Sequence, residues 1–339
     1  MKYLAALLFC LGLLPAWAQA PHFAVHRLYL PPEVAFYDNQ FSGLALSAGQ
    51  LLIMSESRLQ DRAEAKLYAV ALADLDHQLA DSTYTLPFRK LPLLGLPALR
   101  GRINRAGQVY EGLEALLVDQ QTIYFSVETA TPSTNCYLLK GTLTSAAVVL
   151  DTTFLVTLPK PLAADGSHIY NAGFEALASE GPHLFAFFEY NSFSSANYVY
   201  QLPKPLSAKG SAPQPLPFAQ LPFRLTDVTA AGKHRFVGLN YFFRGEGGDE
   251  VYRTPATDTV NARLISDAVG YKSYCRLVAL DLTDNKFSWQ PLWEFPDDYR
   301  SYNWEGIAAY KNGYFIINDK YTSHRPYQST LLYLQPLAE

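Results

Sequence analysis

The sequence predicts an all-β protein, a five-bladed β-propeller of four-stranded antiparallel blades that is closed by its N-terminal strand. Three observations lead to this prediction. One block of sequence recurs five times, its segments are short and rich in β-branched and aromatic residues, and sustained helical periodicity is absent. Six blades is the alternative count. A β-sandwich would not explain the five matched blocks.

Composition limits the kind of protein and the kind of partner. The 339 residues are 49% hydrophobic and include 23 Tyr and 20 Phe, so the chain can bury a large core. Lys and Arg number 27 against 31 Asp and Glu, the formal net charge is -4, and no run is rich in Lys or Arg. We therefore do not expect a nucleic-acid partner.

The first 20 residues have the pattern of a cleaved secretory signal. Lys2 precedes an apolar run at 3–14, and Pro15 and the small-residue pattern Ala16-Trp17-Ala18 follow it. We expect residues 21–339 to form a single propeller domain that is secreted or periplasmic, monomeric and without a membrane span. Cys136 and Cys275 lie in apolar runs of different repeats, which favours two buried free thiols over one disulfide.

Each repeat begins with a block of two apolar segments separated by a turn. A polar residue opens the block and another closes it. The opening residues are Ser42, Glu111, Glu175, Asp227 and Glu305. The closing residues are Glu56, Glu128, Glu189, Asn240 and Asp319. The turns contain Gly, Asn, Asp or Ser, so each block predicts a β-hairpin.

Two further segments complete the predicted four-stranded sheets. A third segment with alternating polarity follows each block, at 66–70, 136–143, 198–202, 274–282 and 330–334. A fourth, often flanked by Pro, follows in four repeats, at 84–94, 148–158, 213–221 and 287–295. The fifth repeat lacks it, but an unassigned strand-like segment lies at 22–30. We therefore expect the N-terminal segment to complete the fifth sheet and remove an open edge.

This topology predicts that the five opening residues form a ring at one end of the central channel. Carboxylates that converge there repel one another unless some bind a proton or a cation joins them. Because the ring offers only oxygen atoms, Ca²⁺ is the expected cofactor, with Ser42, Glu111, Glu175, Asp227 and Glu305 as ligands. The alternative is that these residues only solvate the rim.

Loops that follow the closing residues should overhang the same rim. They contain Arg58, Lys320, His324 and Arg325. The longest loop spans 243–272 in the fourth repeat, and we interpret it as a candidate lid.

The five blocks resemble a known family of secreted bacterial proteins, the phytase-like domain described as "esterase-like activity of phytase". The matching motifs are Ser42-Gly43-Leu44 with Ser55-Glu56-Ser57-Arg58, Glu111-Gly112-Leu113 with Ser126-Val127-Glu128, Gly173-Phe174-Glu175 with Phe188-Glu189, Leu225-Thr226-Asp227 with Leu239-Asn240-Tyr241-Phe242, and Asn303-Trp304-Glu305-Gly306-Ile307 with Asn318-Asp319-Lys320-Tyr321. Two of the motifs depart from the family pattern. Glu56 replaces an Asp, and Asn240-Tyr241 replaces Glu-Arg, which weakens a catalytic role for the fourth repeat. The resemblance implies a propeller, a central metal and hydrolysis of phosphate or carboxylate esters.

Two functions remain open from the sequence. In a metal-dependent hydrolase, Glu128, Glu189, Asp319 or His324 would transfer protons, and a small anionic ester would bind to Arg58, Lys320, Arg325 and Tyr241. In the alternative, the same rim is a calcium-stabilised platform that binds a glycan, a peptide or a protein as a surface ligand without catalysis. The G-x-S-x-G, H-E-x-x-H, G-x-G-x-x-G and Walker motifs are all absent.

Overall fold

The structure is a computed structural model that describes residues 22–55, 65–208, 212–244, 249–255, 257–319 and 327–337. The predicted signal segment 1–20 lies outside these residues. The fold is all-β and propeller-like, with 52% strand and 13% helix. The helices therefore connect and cover sheets that form the body of the molecule.

The described strands lie in sheets of four, nine, eight and two strands, and within the three larger sheets each repeat corresponds to one antiparallel group of strands. The N-terminal strand is β1 (Phe23–Leu28). Repeat 1 contains β2 (Phe41–Ser47), β3 (Gln50–Ser55), β4 (Lys66–Ala71) and β5 (Arg89–Leu94). Repeat 2 contains β6 (Tyr110–Asp119), β7 (Thr122–Thr129), β8 (Asn135–Leu143) and β9 (Val148–Leu150), and β10 (Val156–Pro159) also pairs with β8.

The remaining repeats follow the same order. Repeat 3 contains β11 (Ala176–Glu180), β12 (His183–Phe187), β13 (Asn197–Pro203) and β14 (Gln214–Phe218). Repeat 4 contains β15 (Arg224–Gly232), β16 (Arg235–Phe242), β19 (Tyr274–Thr283) and β20 (Lys286–Glu294). Repeat 5 contains β21 (Trp304–Tyr310), β22 (Gly313–Asn318) and β23 (Leu331–Pro336).

Strand pairing covers the outer edges of repeats 1 to 4 and completes the sheet of repeat 5. As the sequence predicts, β1 completes the sheet of repeat 5 by pairing antiparallel with β23, from Phe23 opposite Pro336 to Leu28 opposite Leu331. The outer strand β5 pairs in parallel with β9, and β14 pairs in parallel with β20. These contacts join the outer edges of repeats 1 and 2 and of repeats 3 and 4, so those strands do not present a free edge.

The first strands of the five repeats pack against one another in a closed ring, in the order β2, β6, β11, β15, β21 and back to β2. Five apolar clusters fill the five spaces between adjacent repeats. Phe125 belongs to the cluster between repeats 1 and 2, Phe174 to the next, and Phe185, Trp304 and Phe315 to the other three. A cavity of about 250 Å³ lies on the axis, lined by all five first strands.

Helices lie in two of the connections between strands, although the sequence shows no sustained helical periodicity. They are α2 (Leu72–Ala80) and α3 (Leu96–Arg105), and a short α1 (Pro32–Ala35) follows β1. Leu96, Leu99 and Ile103 are buried in the cluster between repeats 1 and 2, at a spacing typical of one helix face. This apolar helix face is too short to give a clear helical period in a stretch of sequence that also contains strand residues.

The long connection in repeat 4 is ordered in its described part. It contains a 3-10 turn at Asp249–Tyr252, α4 (Thr259–Leu264) and a small hairpin of β17 (Ser266–Asp267) and β18 (Gly270–Tyr271). Tyr252 and Ile265 are buried with Phe223, Phe242 and Tyr274 in a sixth apolar cluster. This connection is therefore packed onto the body of the molecule.

Cys136 and Cys275 are both free and buried, in repeats 2 and 4. Burial raises the pKa of the Cys136 thiol to about 12. Within the described ranges, the helices are too short or too polar to cross a membrane.

Candidate functional site

β-Bulges place the opening residues of three repeats. The pairing register shifts between Phe41 and Gly43 in β2, between Tyr110 and Gly112 in β6, and between Trp304 and Gly306 in β21. Ser42, Glu111 and Glu305 are therefore the extra residues at these bulges, which change the direction of a side chain at the end of a strand. Ser42 is buried, whereas Glu111 and Glu305 are half-buried.

The corresponding bulge in β15 lies between Leu225 and Asp227, so the extra residue is Thr226. Thr226 is thus the residue of β15 that corresponds to the other opening residues, and Asp227 lies one position after it. The carboxylate of Asp227 accepts hydrogen bonds from the backbone N–H groups of Val228 at 2.8 Å and Ile307 at 2.7 Å. Burial raises its pKa, and these donors together with the N–H of Leu44 oppose that shift. Asp227 thereby connects first strands.

Three buried carboxylates converge between repeats 2 and 3. Among the described His, Cys, Asp and Glu residues, one group of at least three has ligand atoms that all lie within 4.8 Å of one another: Glu114, Glu128 and Glu175. We call these residues the acidic triad. Of the five predicted metal ligands, Ser42 and four carboxylates, the triad contains only Glu175.

Glu114 is the residue that the sequence analysis missed. A second bulge in β6, between Leu113 and Ala115, adds Glu114 to the strand. Glu128 pairs with Gly112, whereas the residues that pair with the equivalent Gly43 and Gly306 are Met54 and Ile317. Repeat 2 therefore has a carboxylate, that of Glu128, where repeats 1 and 5 have apolar side chains. A Glu inside the apolar run from Leu113 to Val118 was the available signal.

The environment of Glu175 favours its protonated form. Burial is the largest cause that raises its pKa well above the usual value, and the carboxylates of Glu114, Glu189, Glu128 and Glu305 raise it further. Gly173 allows the close approach of these groups. A Cβ atom at this position would lie 3.2 Å from both Cβ and Cγ of Glu128 and 3.3 Å from Oε1 of Glu175.

Glu189, predicted as a catalytic residue, holds two side chains in place. Its Oε1 accepts a hydrogen bond from Nη1 of Arg224, and its Oε2 accepts one from the hydroxyl of Tyr252. The guanidinium carbon of Arg224 lies 3.9 Å from the centre of the Tyr252 ring. Burial would lower the pKa of Arg224, but the charge of Glu189, followed by Tyr252 and Tyr241, raises it well above the usual value. The predicted lid segment thus supplies Tyr252 to this site.

Asn240, the closing residue of repeat 4, supports the backbone beneath Arg224. Its amide nitrogen donates hydrogen bonds to the carbonyl oxygens of Pro222 and Arg224, both at 2.8 Å. Its side-chain oxygen accepts a hydrogen bond from Nε of Arg276 at 2.8 Å. These contacts give Asn240 a structural role.

Glu305 forms a second polar group beside Glu189. Its Oε1 accepts hydrogen bonds from the hydroxyl of Tyr241 at 3.0 Å and from Nδ2 of Asn303 at 2.6 Å. Burial raises the pKa of Glu305 well above its usual value, and the charges of Asp319 and Glu189 act in the same direction. Tyr241, which the sequence analysis assigned to substrate binding, is buried and contacts this carboxylate. Arg58, Lys320, His324 and Arg325 lie outside the described residues.

Comparison with other proteins gives only distant similarities. No family model matches the chain, and no curated protein matches it. Among solved structures, the α-L-arabinofuranosidase PaAbf62A from Podospora anserina has a TM-score of 0.47 and 11% identity, over 94% of this chain and 98% of that one. The Bacillus subtilis arabinanase Arb43A has a TM-score of 0.47 and 8% identity, over 86% and 92% of the two chains. Similarities at this level are too weak to assign the fold or the chemistry of this protein.

Proposed function

We propose that this chain is a secreted, calcium-dependent hydrolase of small anionic esters or phosphoesters, with its site on one rim of a five-bladed β-propeller. The observation that carries the proposal is the convergence of Glu114, Glu128 and Glu175 within 4.8 Å in a buried position. The closed ring of five first strands supports the blade count. The five ordered blocks that resemble the phytase-like family support the class of reaction.

The acidic triad fits a hard divalent cation. Three ionised carboxylates this close repel strongly where water is excluded, so the triad must bind protons or a cation. Ca²⁺ binds oxygen ligands at about 2.3 to 2.6 Å, so two ligand atoms on opposite sides of the ion are separated by roughly 4.6 to 5.2 Å. The ligand atoms of the triad all lie within 4.8 Å of one another, which is below the largest separation that one Ca²⁺ ion can bridge. When bound, Ca²⁺ would polarise a substrate oxygen and stabilise developing negative charge.

The carboxylates outside the metal site have separate roles in this proposal. Glu128 belongs to the triad and Glu189 holds Arg224 and Tyr252, so we propose Asp319 as the general base among the described candidates. Asp319 is half-buried and close enough to Glu305 to raise the pKa of that carboxyl group. His324, Arg58, Lys320 and Arg325 remain candidates from the sequence.

One observation favours a second function, hydrolysis of a glycosidic bond by the carboxylates themselves. The raised pKa of Glu175 keeps a carboxylic acid beside carboxylates. A proton donor next to a carboxylate is the arrangement that most glycoside hydrolases use. In this alternative, Glu175 would protonate the leaving group, and hydrolysis would not require a metal.

Three chromogenic substrates separate these functions: 4-nitrophenyl phosphate, 4-nitrophenyl acetate and 4-nitrophenyl α-L-arabinofuranoside. We expect turnover of an ester that stops with EDTA, returns with Ca²⁺ and falls at least about 100-fold in Glu175→Gln. The matched control is Glu33→Gln, because Glu33 is exposed on α1.

Each other outcome contradicts the calcium-dependent hydrolase. Ester turnover that survives EDTA and Glu175→Gln would exclude the triad as its centre. Turnover of the arabinofuranoside alone, insensitive to EDTA, would support the second function. If Ca²⁺ raises the melting temperature but none of the substrates is hydrolysed, the non-catalytic platform is the better interpretation.

A further inference from the structure

Arg224 lies in the part of the candidate site formed by repeats 3 to 5. It contacts Glu189, and its charge acts on Glu305 and Tyr241. Glu189 and Glu305 in turn act on Glu175. Glu189 and Glu305 are therefore charged neighbours of both the guanidinium and Glu175.

Surrounding groups fix the orientation of Arg224. Glu189 accepts a hydrogen bond from Nη1, the ring of Tyr252 stacks on the guanidinium, and Tyr252 is itself tied to Glu189 through its hydroxyl. Asn240 holds the backbone carbonyl of Arg224. A guanidinium held in this way loses little conformational entropy when it forms further hydrogen bonds.

Most of the hydrogen-bonding capacity of Arg224 is left for a ligand. A guanidinium has five N–H donors. Within the ranges that the structure describes, the side-chain hydrogen bond of Arg224 involves Nη1 alone. The side chain is 18% exposed, so part of it is accessible to solvent. A planar fork of donors is suited to two oxygen atoms of a carboxylate or a phosphate.

We propose that Arg224 binds an anionic carboxylate or phosphate group of the substrate. The inference rests on the proposed function in one respect. The surrounding carboxylates would repel an anion, so Ca²⁺ in the triad should strengthen its binding. Arg224 is thus a specificity-determining residue that selects negatively charged substrates.

Sulfate and acetate test this proposal as soluble stand-ins for the two groups. Calorimetric titration in 1 mM CaCl₂, with chloride at the same ionic strength as reference, should show binding of at least one of them to the unmodified protein. We expect Arg224→Gln to weaken that binding at least about tenfold and Arg224→Lys to retain part of it, because Lys keeps the charge but not the fork. Arg235→Gln is the matched control, since Arg235 is exposed and pairs with Asp281.

Two results would overturn the proposal: equal affinity in Arg224→Gln and the unmodified protein, or binding of neither anion by the unmodified protein. If Arg224→Gln does not fold, as judged by near-UV circular dichroism, Arg224→Lys and Tyr252→Phe decide. The proposal requires that Arg224→Lys binds the anion more weakly than the unmodified protein. Tyr252→Phe keeps the ring over Arg224 and should bind the anion normally.

A separate titration with CaCl₂ distinguishes this inference from the proposed function. If Ca²⁺ binds and Arg224→Gln leaves anion affinity unchanged, the inference about Arg224 fails and the calcium-dependent hydrolase stands. If Ca²⁺ does not bind but an anion binds through Arg224, the inference stands and the calcium-dependent hydrolase fails.

Discussion

At the scale of single residues, Asp227 shows how one carboxylate can serve the fold instead of the chemistry. Its oxygens accept hydrogen bonds from Val228 in β15 and Ile307 in β21, and the N–H of Leu44 in β2 also acts on it. It therefore connects three of the five first strands. This position explains why an acidic residue occurs at the start of β15 even though it lies outside the acidic triad.

We expect Asp227→Asn to destabilise the protein by about 2 to 4 kcal/mol, because one oxygen becomes an NH₂ group that faces a backbone N–H donor. Urea denaturation measures the change. The loss should be the same with Ca²⁺ and with EDTA, and Asp298→Asn, at an exposed position, should be neutral. A loss of stability that appears only with Ca²⁺ would instead restore Asp227 as a metal ligand.

Gly173 gives a second test at this scale, because its lack of a side chain leaves room for the acidic triad. In Gly173→Ala, the new Cβ would displace Glu128 and Glu175 by a few tenths of an ångström. We expect Ca²⁺ affinity, measured by calorimetry, to fall roughly tenfold while the fold is kept. Gly101→Ala is the control, because its new Cβ meets the flexible end of Arg105. Unchanged affinity in Gly173→Ala would argue against the triad as the binding site.

At the scale of elements, strand β1 closes the sheet of repeat 5. Without it, β23 would present a free edge with unpaired backbone groups, and the apolar face shared with Val25 and Leu28 would be exposed. Gln78 of α2 adds to this closure, because its amide group bonds the backbone N–H and carbonyl of Tyr29.

We therefore expect a chain that begins at Pro31 to melt more than about 10 °C below one that begins at Pro21, or to lose its cooperative transition. Differential scanning calorimetry measures the transition, and size-exclusion chromatography detects aggregation through the free edge of β23. Equal stability of the two chains would mean that β1 contributes nothing to closure.

The elements also show which local signals were readable. The hairpin blocks predicted the first two strands of every repeat, because alternating apolar residues bounded by turn residues specify a hairpin locally. Helices α2 and α3 were missed, since nine or ten residues give a short periodic pattern. The bulges at Glu114 and Thr226 were also missed, because an extra residue in one strand depends on its partner strand.

At the scale of the whole molecule, the buried carboxylates link stability to pH. Burial raises the pKa values of Glu175 and Glu305, so the folded protein binds more protons than the unfolded chain above the unfolded pKa of about 4.3. The free energy of unfolding therefore falls as pH rises through the interval between the unfolded and folded pKa values. The stability that Glu175 and Glu305 contribute in this way is fully present below about pH 4.3.

In EDTA, we expect the free energy of unfolding, measured by urea denaturation, to fall from pH 5 upwards. Glu175→Gln should make this fall shallower, because it removes one titrating carboxyl group. Ca²⁺ should reverse the trend at neutral pH, since the cation replaces the protons. A free energy of unfolding that rises with pH in EDTA would contradict the raised pKa values.

The sequence by itself predicted the hairpins, the N-terminal segment that completes the last sheet, and the buried free thiols. The hairpins follow from periodicity and turn chemistry, which act over a few neighbouring residues, and the closing segment follows from the fourth strand that the last repeat lacks. Only the tertiary structure decided which polar side chains meet. Bulges and strand pairing brought Glu114 and Glu128 to Glu175, turned Asp227 towards backbone donors, and placed Tyr252 on Arg224, because a shift of one residue in register reverses the face on which a side chain lies.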